Sequence, residues 1–171
     1  LDLPERAEEA DLMAALHNMY RTHVSVSEIR GSALRLFDRE ENRLIVNAAL
    51  PPESRKFLMA HQIMKMAAVG QIATVAERAA ITTPGADRLL EIGLANYAAG
   101  ALMMPYQRFR ASARELRHDI DQLARRFGVS FEQACHRLST LQRPGLRGIP
   151  FFFCRVDMAG NITKRHSATR R

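Results

Sequence analysis

Cysteine is scarce in this chain, and long apolar runs are missing. Two cysteines, Cys135 and Cys154, among 171 residues supply no disulfide framework and no ligand pair at metal-binding spacing. They read as two buried thiols in a reducing compartment. No stretch reaches the roughly 18 apolar residues of a membrane-spanning helix. The longest, around Ala95–Met104 and Pro150–Cys154, are too short, so no membrane partner is expected. The first residues carry no initiator Met and no signal-peptide pattern, and the chain reads as an excised fragment of a larger cytoplasmic protein. Internal repeats and low-complexity segments are absent too. What is abundant is hydrophobic sequence, 47% of residues, enough for a packed core and against disorder.

The formal charge is +7, and the basic excess lies late, in a series of arginines from Arg108 to Arg171. Glu5–Asp11 is locally acidic. Such asymmetry points to a polyanionic partner, nucleic acid or a phosphate-rich small molecule.

Pro4 followed by Glu5, Glu8 and Glu9 is a helix start, and apolar residues at helical spacing carry the helix over 5–22. Period-two alternation predicts strands over 24–29, 33–37 and 43–47, with a turn at Asp38–Asn42 and a short link at Arg30–Ser32. The three are expected to form a small antiparallel sheet. Pro51-Pro52 opens a long helix to about Ala79, with Gly70 as its weak point and a break at Thr82–Gly85. The helix over 87–104 is apolar on almost every side and rich in small residues, which places it at the centre of the domain. A helix over 106–117 follows, then two short helices around Gly128–Ser130 with Ser130 as N-cap, then two strands around a turn at Asp157–Asn161.

The stretch with most chemistry in it is His61-Gln62-Ile63-Met64-Lys65. It has the outline of the zinc-peptidase helix H-E-x-x-H, whose two histidines bind metal and whose Glu is the general base. Gln62 stands in place of the base and Lys65 in place of the second ligand. A neutral amide takes no proton from water and an ammonium ligates no cation. No catalytic residue, no metal ligand and no zinc are therefore expected, and Glu91 beside His61 makes only two donors.

Two other constellations carry alternatives. The pair around Leu123–Leu138 has the elbow of a helix-turn-helix, with Glu132, Gln133, His136 and Arg137 facing out to read bases, though Glu132 at the front repels phosphate. The packing of a structural helix pair is the preferred explanation. Arg55 and Lys56 in the first turns of the long helix, with Arg30 at the sheet edge, offer cations to phosphates. Tyr97 and Tyr106 offer rings to an adenine or a pantetheine amide, and His61 adds a wall to such a pocket.

Phe57–Lys65, Leu94–Pro105 and Phe127–Leu138 together resemble the ImmA/IrrE-type metallopeptidase domain. Tyr106–Phe109, Cys135–Gly145 and Gly148–Thr169 narrow the resemblance to the XRE-type short-chain fatty acyl transcriptional regulators, and it covers the chain from about residue 33 onward. The resemblance implies a non-enzymatic sensor of short-chain fatty acid metabolism (propionate, glyoxylate, methylcitrate) that binds coenzyme A or an acyl-CoA through Arg30, Arg55, Lys56, His61, Tyr97 and Tyr106. It also implies promoter DNA as partner through an N-terminal helix-turn-helix absent from this stretch, an iron–sulphur cluster in a C-terminal region also absent, and a homodimer or higher homo-oligomer. The expected fold is α+β: a mostly helical domain over 1–147 with a three-stranded antiparallel sheet, containing the helix pair over 119–142, and the start of a C-terminal β segment over 148–171. The rivals are an active zinc peptidase and a DNA-binding module.

Overall fold

A computed structural model describes residues 3–79 and 85–167. Of the expected break at Thr82–Gly85, residues 82–84 lie outside the described residues. The chain packs as two units, divided between Met103 and Met104. The division also separates charge: residues 1–103 carry 11 Lys/Arg against 13 Asp/Glu, and residues 104–171 carry 14 against 5.

In the first unit α1 (Glu9–Tyr20) lies against β1 (His23–Ser27) and α2 (Pro52–Ala67). It begins at Glu9 because the Glu8 backbone N–H is taken by Asp11 Oδ2 at 2.8 Å, a local cap. The sheet is formed by β1, β2 (Arg35–Asp38) and β3 (Arg43–Asn47), but its order is β1-β3-β2 and it is mixed. β2 pairs antiparallel with β3, whereas β1 runs parallel to it with Val24 opposite Leu44 and Val26 opposite Val46. The antiparallel expectation is thus corrected. β3 takes the centre because Leu44 and Val46 have no exposed surface, while β1 alternates Val with Ser and suits an edge. Burying those two side chains contributes roughly 1.5–3 kcal/mol each.

The long helix ends earlier than its pattern predicts. α2 stops at Ala67, Ala68 leaves helical geometry, and α3 (Val69–Arg78) starts anew. A β-branched residue followed by Gly70 is a weak place to propagate a helix. α4 (Ala86–Met103) packs on α2 and α3 and buries Ala95, Ala99 and Met103. It is not the centre of the unit: Leu89, Ile92 and Tyr97 are exposed. Gly93 and Gly100 have nothing within 4 Å of an added Cβ, so no neighbour exploits their small size.

The second unit holds α5 (Tyr106–Glu115), α6 (Ile120–Phe127), α7 (Phe131–Ser139) and the antiparallel hairpin β4 (Phe152–Val156) and β5 (Ile162–Ser167). Gly128 sits at φ 61° as the left-handed cap of α6. Ser130 and Gln133 then cap α7 reciprocally, with bonds of 3.1 and 3.0 Å. Phe109 and Phe127 meet edge to face at 5.1 Å in its core. Gly148 is required by close approach, since an added Cβ would stand 2.9 Å from Leu141 Cβ. Cys135 is buried as expected, but Cys154 is exposed on its strand.

Candidate functional site: the altered metal-motif helix

α2 turns Met59, Ala60 and Ile63 fully inward and carries His61 and Gln62 at the edge of the same buried face. Lys65, one turn beyond His61, is exposed. Facing His61 is Arg35, a residue that sequence reasoning had not singled out. β2 alternates so that Leu36 is half exposed and Arg35 points inward. Arg35 Nη1 donates to the Leu58 carbonyl at 2.8 Å, and its Nη2 lies 2.8 Å from His61 Nδ1. A guanidinium has only donors, so Nδ1 is the acceptor and the neutral ring keeps its proton on Nε2. Burial first, then Arg35, then Lys65, pull the His61 pKa down from 6.5 to about 4. Burial also lowers the Arg35 pKa, but an arginine stays charged. The alternation Leu34-Arg35-Leu36 sets the arginine on the face opposite the two leucines, but hydropathy would turn the leucines inward, whereas the structure leaves both half exposed.

These residues do not fit a metal. The one imidazole nitrogen directed at β2 is occupied by a cation, and Lys65 adds a second positive charge along the helix. Among the described residues no group of three or more His, Cys, Asp or Glu is placed to hold an ion. Glu91 is exposed on α4.

The other expected site residues are distributed as follows. Arg55 is held by Glu9 Oε1 at 2.7 and 2.9 Å and by the Leu50 carbonyl at 2.7 Å. Lys56 is buried, 3% exposed, and its Nζ donates to the Ala7 carbonyl at 3.1 Å and to Glu8 Oε2 at 3.4 Å. Both cations therefore tie the start of α2 to the start of α1. Arg30 is exposed in the β1–β2 link, and Tyr97 is half exposed on α4. Tyr106 belongs to the second unit. Its hydroxyl donates to the Leu146 carbonyl and accepts from the Arg143 backbone N–H, both at 3.0 Å, and the Arg143 guanidinium covers its ring at 4.6 Å. Thus Arg55 and Lys56 come together, His61 meets Arg35, and Tyr106 is built into a loop anchor.

The helix pair α6–α7 does not present the expected reading face. Arg137 is buried, with Nε donating to the Met104 carbonyl at 2.8 Å. The hairpin packs on α7, where Glu132 binds Arg155 at 3.1 Å and His136 meets Phe153 edge to face at 5.4 Å.

Residues 21–139 match the model of the IrrE N-terminal-like domain. The chain belongs to that family. Residues 140–171 match the model of the short-chain fatty acyl coenzyme A regulator, C-terminal. The propionyl-CoA carboxylase regulator of Cereibacter sphaeroides is 44% identical over 157 residues, which cover 92% of this chain and 34% of that protein. The HTH-type transcriptional regulator PrpR of Mycobacterium tuberculosis is 47% identical over 138 residues, covering 81% and 28%. The regulator RamB from the same species is 38% identical over 142 residues, covering 83% and 30%. A solved Mycobacterium tuberculosis transcriptional regulator matches with a TM-score of 0.89 and 41% identity over 95% of this chain and 49% of that one. The chain spans about a third of the length of the curated relatives it matches. The resemblance to the fatty acyl regulators is thereby borne out, and these relatives are named as regulators rather than enzymes.

Proposed function

We propose that this region is the ligand-sensing part of a bacterial transcriptional regulator of short-chain fatty acid metabolism, and that its effector is coenzyme A or a short-chain acyl-CoA. The observation that carries this reading is the altered motif helix in an IrrE-like domain. Gln62 and Lys65 stand where base and ligand belong, and an arginine occupies His61. A motif helix of this family without its second ligand or its base is free for a role other than hydrolysis. The short-chain fatty acyl coenzyme A regulator match directly after it supports the choice of effector.

In this reading exposed Arg30 meets a phosphate, half-exposed Tyr97 offers its ring to the adenine, and His61 borders the acyl end. Arg55 and Lys56 are already paired with Glu9 and Glu8, so an effector phosphate reaches them only by displacing those acids. DNA is bound through a domain outside this stretch, in a homo-oligomer, and any iron–sulphur cluster lies beyond it as well. The effector must bind the DNA-competent and incompetent states unequally, since only differential affinity shifts an equilibrium.

Calorimetric titration with propionyl-CoA and with coenzyme A tests the reading. Saturable heat with a rise in melting temperature is expected; neither at millimolar ligand sinks it. Stoichiometric zinc together with chelator-sensitive cleavage of a protein substrate would establish the peptidase instead.

A further inference from the structure

Among the described residues no acid pairs with Arg35, a part-buried cation. The chain compensates the other two inward cations of this region, giving Glu9 to Arg55 and Glu8 to Lys56. Arg35 receives only neutral acceptors, the Leu58 carbonyl and His61 Nδ1. Among the described residues no carboxylate bonds to it. A guanidinium has five N–H donors, so three remain uncommitted. The adjacent ring adds the Nε2–H of His61, which has no partner among the described residues. Lys65, one turn further along α2, contributes charge of the same sign. The positions left open are therefore all donors, and the charges beside them, Arg35 and Lys65, are both positive. Withdrawing an uncompensated guanidinium from water is costly, and a bound anion offsets that cost while filling the open N–H positions.

We propose that Arg35 and His61 form an oxyanion-binding site, in which the Arg35 fork grips a carboxylate or phosphate and His61 Nε2–H supplies a neutral third donor. Planar two-oxygen groups match the guanidinium fork, which a point-like ammonium does not. The assignment shares His61 with the acyl-CoA reading and goes beyond it by giving Arg35 an anion to hold, a role that reading does not assign. The charged group is the carboxylate of a small organic acid, free or thioester-linked, or a phosphate; the two are separated by experiment.

The test follows the Arg35 Nε–Hε and His61 ring resonances of the 171-residue chain by NMR. Inorganic phosphate is titrated in one arm, and propionate and methylmalonate in the other. Both sets of resonances should move together and saturate in at least one arm, and the responding arm names the source. Arg35→Gln should weaken that binding by at least about tenfold, the loss of one or more charge-assisted hydrogen bonds. Arg39→Gln, in the exposed β2–β3 turn, should not change it. Unmoved Arg35 resonances at tens of millimolar of every anion would overturn the site, as would equal affinity in Arg35→Gln. If Arg35→Gln does not fold, the resonance of Arg35 in the unmodified chain decides alone. Heat from propionyl-CoA with no anion response at Arg35 overturns this site and leaves the sensor reading standing. Anion binding at Arg35 without acyl-CoA heat does the reverse.

Discussion

Arg35 Nη2 stands 2.8 Å from His61 Nδ1, and this one contact joins strand β2 to helix α2 while fixing the imidazole as an acceptor. Protonating His61 breaks it and places two cations face to face.

Stability should therefore fall with acid in a definite window. The folded-state pKa of His61 lies at about 4, below its ordinary 6.5, so between these values the unfolded chain binds the proton and the folded one does not. Stability is unaffected above pH 6.5 and is lost progressively as pH falls toward 4, by up to about 3 kcal/mol. Urea midpoints measured across that range should show a slope that His61→Asn reduces by one proton. Equal slopes in the two proteins would place the pH sensitivity elsewhere.

Lys56 and Arg55 should act as fasteners of α1. Lys56→Met leaves the Ala7 carbonyl without its donor and should cost about 1–3 kcal/mol in denaturant unfolding. A double-mutant cycle between Arg55 and Glu9 should return a coupling of roughly 0.5–2 kcal/mol, because two guanidinium N–H groups share Glu9 Oε1 and the pair is mostly shielded. A coupling near zero would mean that α1 is held by its apolar face alone.

The face assignment of the sheet can be read from two leucines. Leu44→Ala should destabilise by about 2–5 kcal/mol, since its side chain has no exposed surface. Leu36→Ala, on the half-exposed face of the edge strand, should cost less than about 1 kcal/mol. The reverse order would mean that β2 is turned over and that Arg35 faces water.

At the α6–α7 corner, Ser130→Ala should cost about 1 kcal/mol through loss of the reciprocal cap. Gly128→Ala should cost a similar amount, because alanine is strained at φ 61°. Both are read by thermal unfolding, and a neutral Ser130→Ala would show that Gln133 alone holds the helix start.

Much of the architecture follows from local chemistry. The capping pair Ser130 and Gln133, the turn at Asp38–Asn42 and the alternation of Arg43–Asn47 each specify their element within a few residues, and the structure places these elements accordingly. Loss of base and second ligand from the motif is legible in Gln62 and Lys65 alone. Sheet order was not, because alternation states which residues share a face and not which strand is the neighbour. The exposure of α4 was not legible either, since an apolar pattern records the wish to bury surface but not whether a partner lies within this stretch.

By itself the sequence determined the element types, the altered motif, the late concentration of positive charge and the family. Only the tertiary structure decided what the charges do. Arg55 and Lys56 have acids brought to them from a helix nearly fifty residues away, and among the described residues Arg35 has none. Whether a cation is a fastener or an open site depends on which groups long-range packing sets beside it, and spacing along one chain segment does not contain that information.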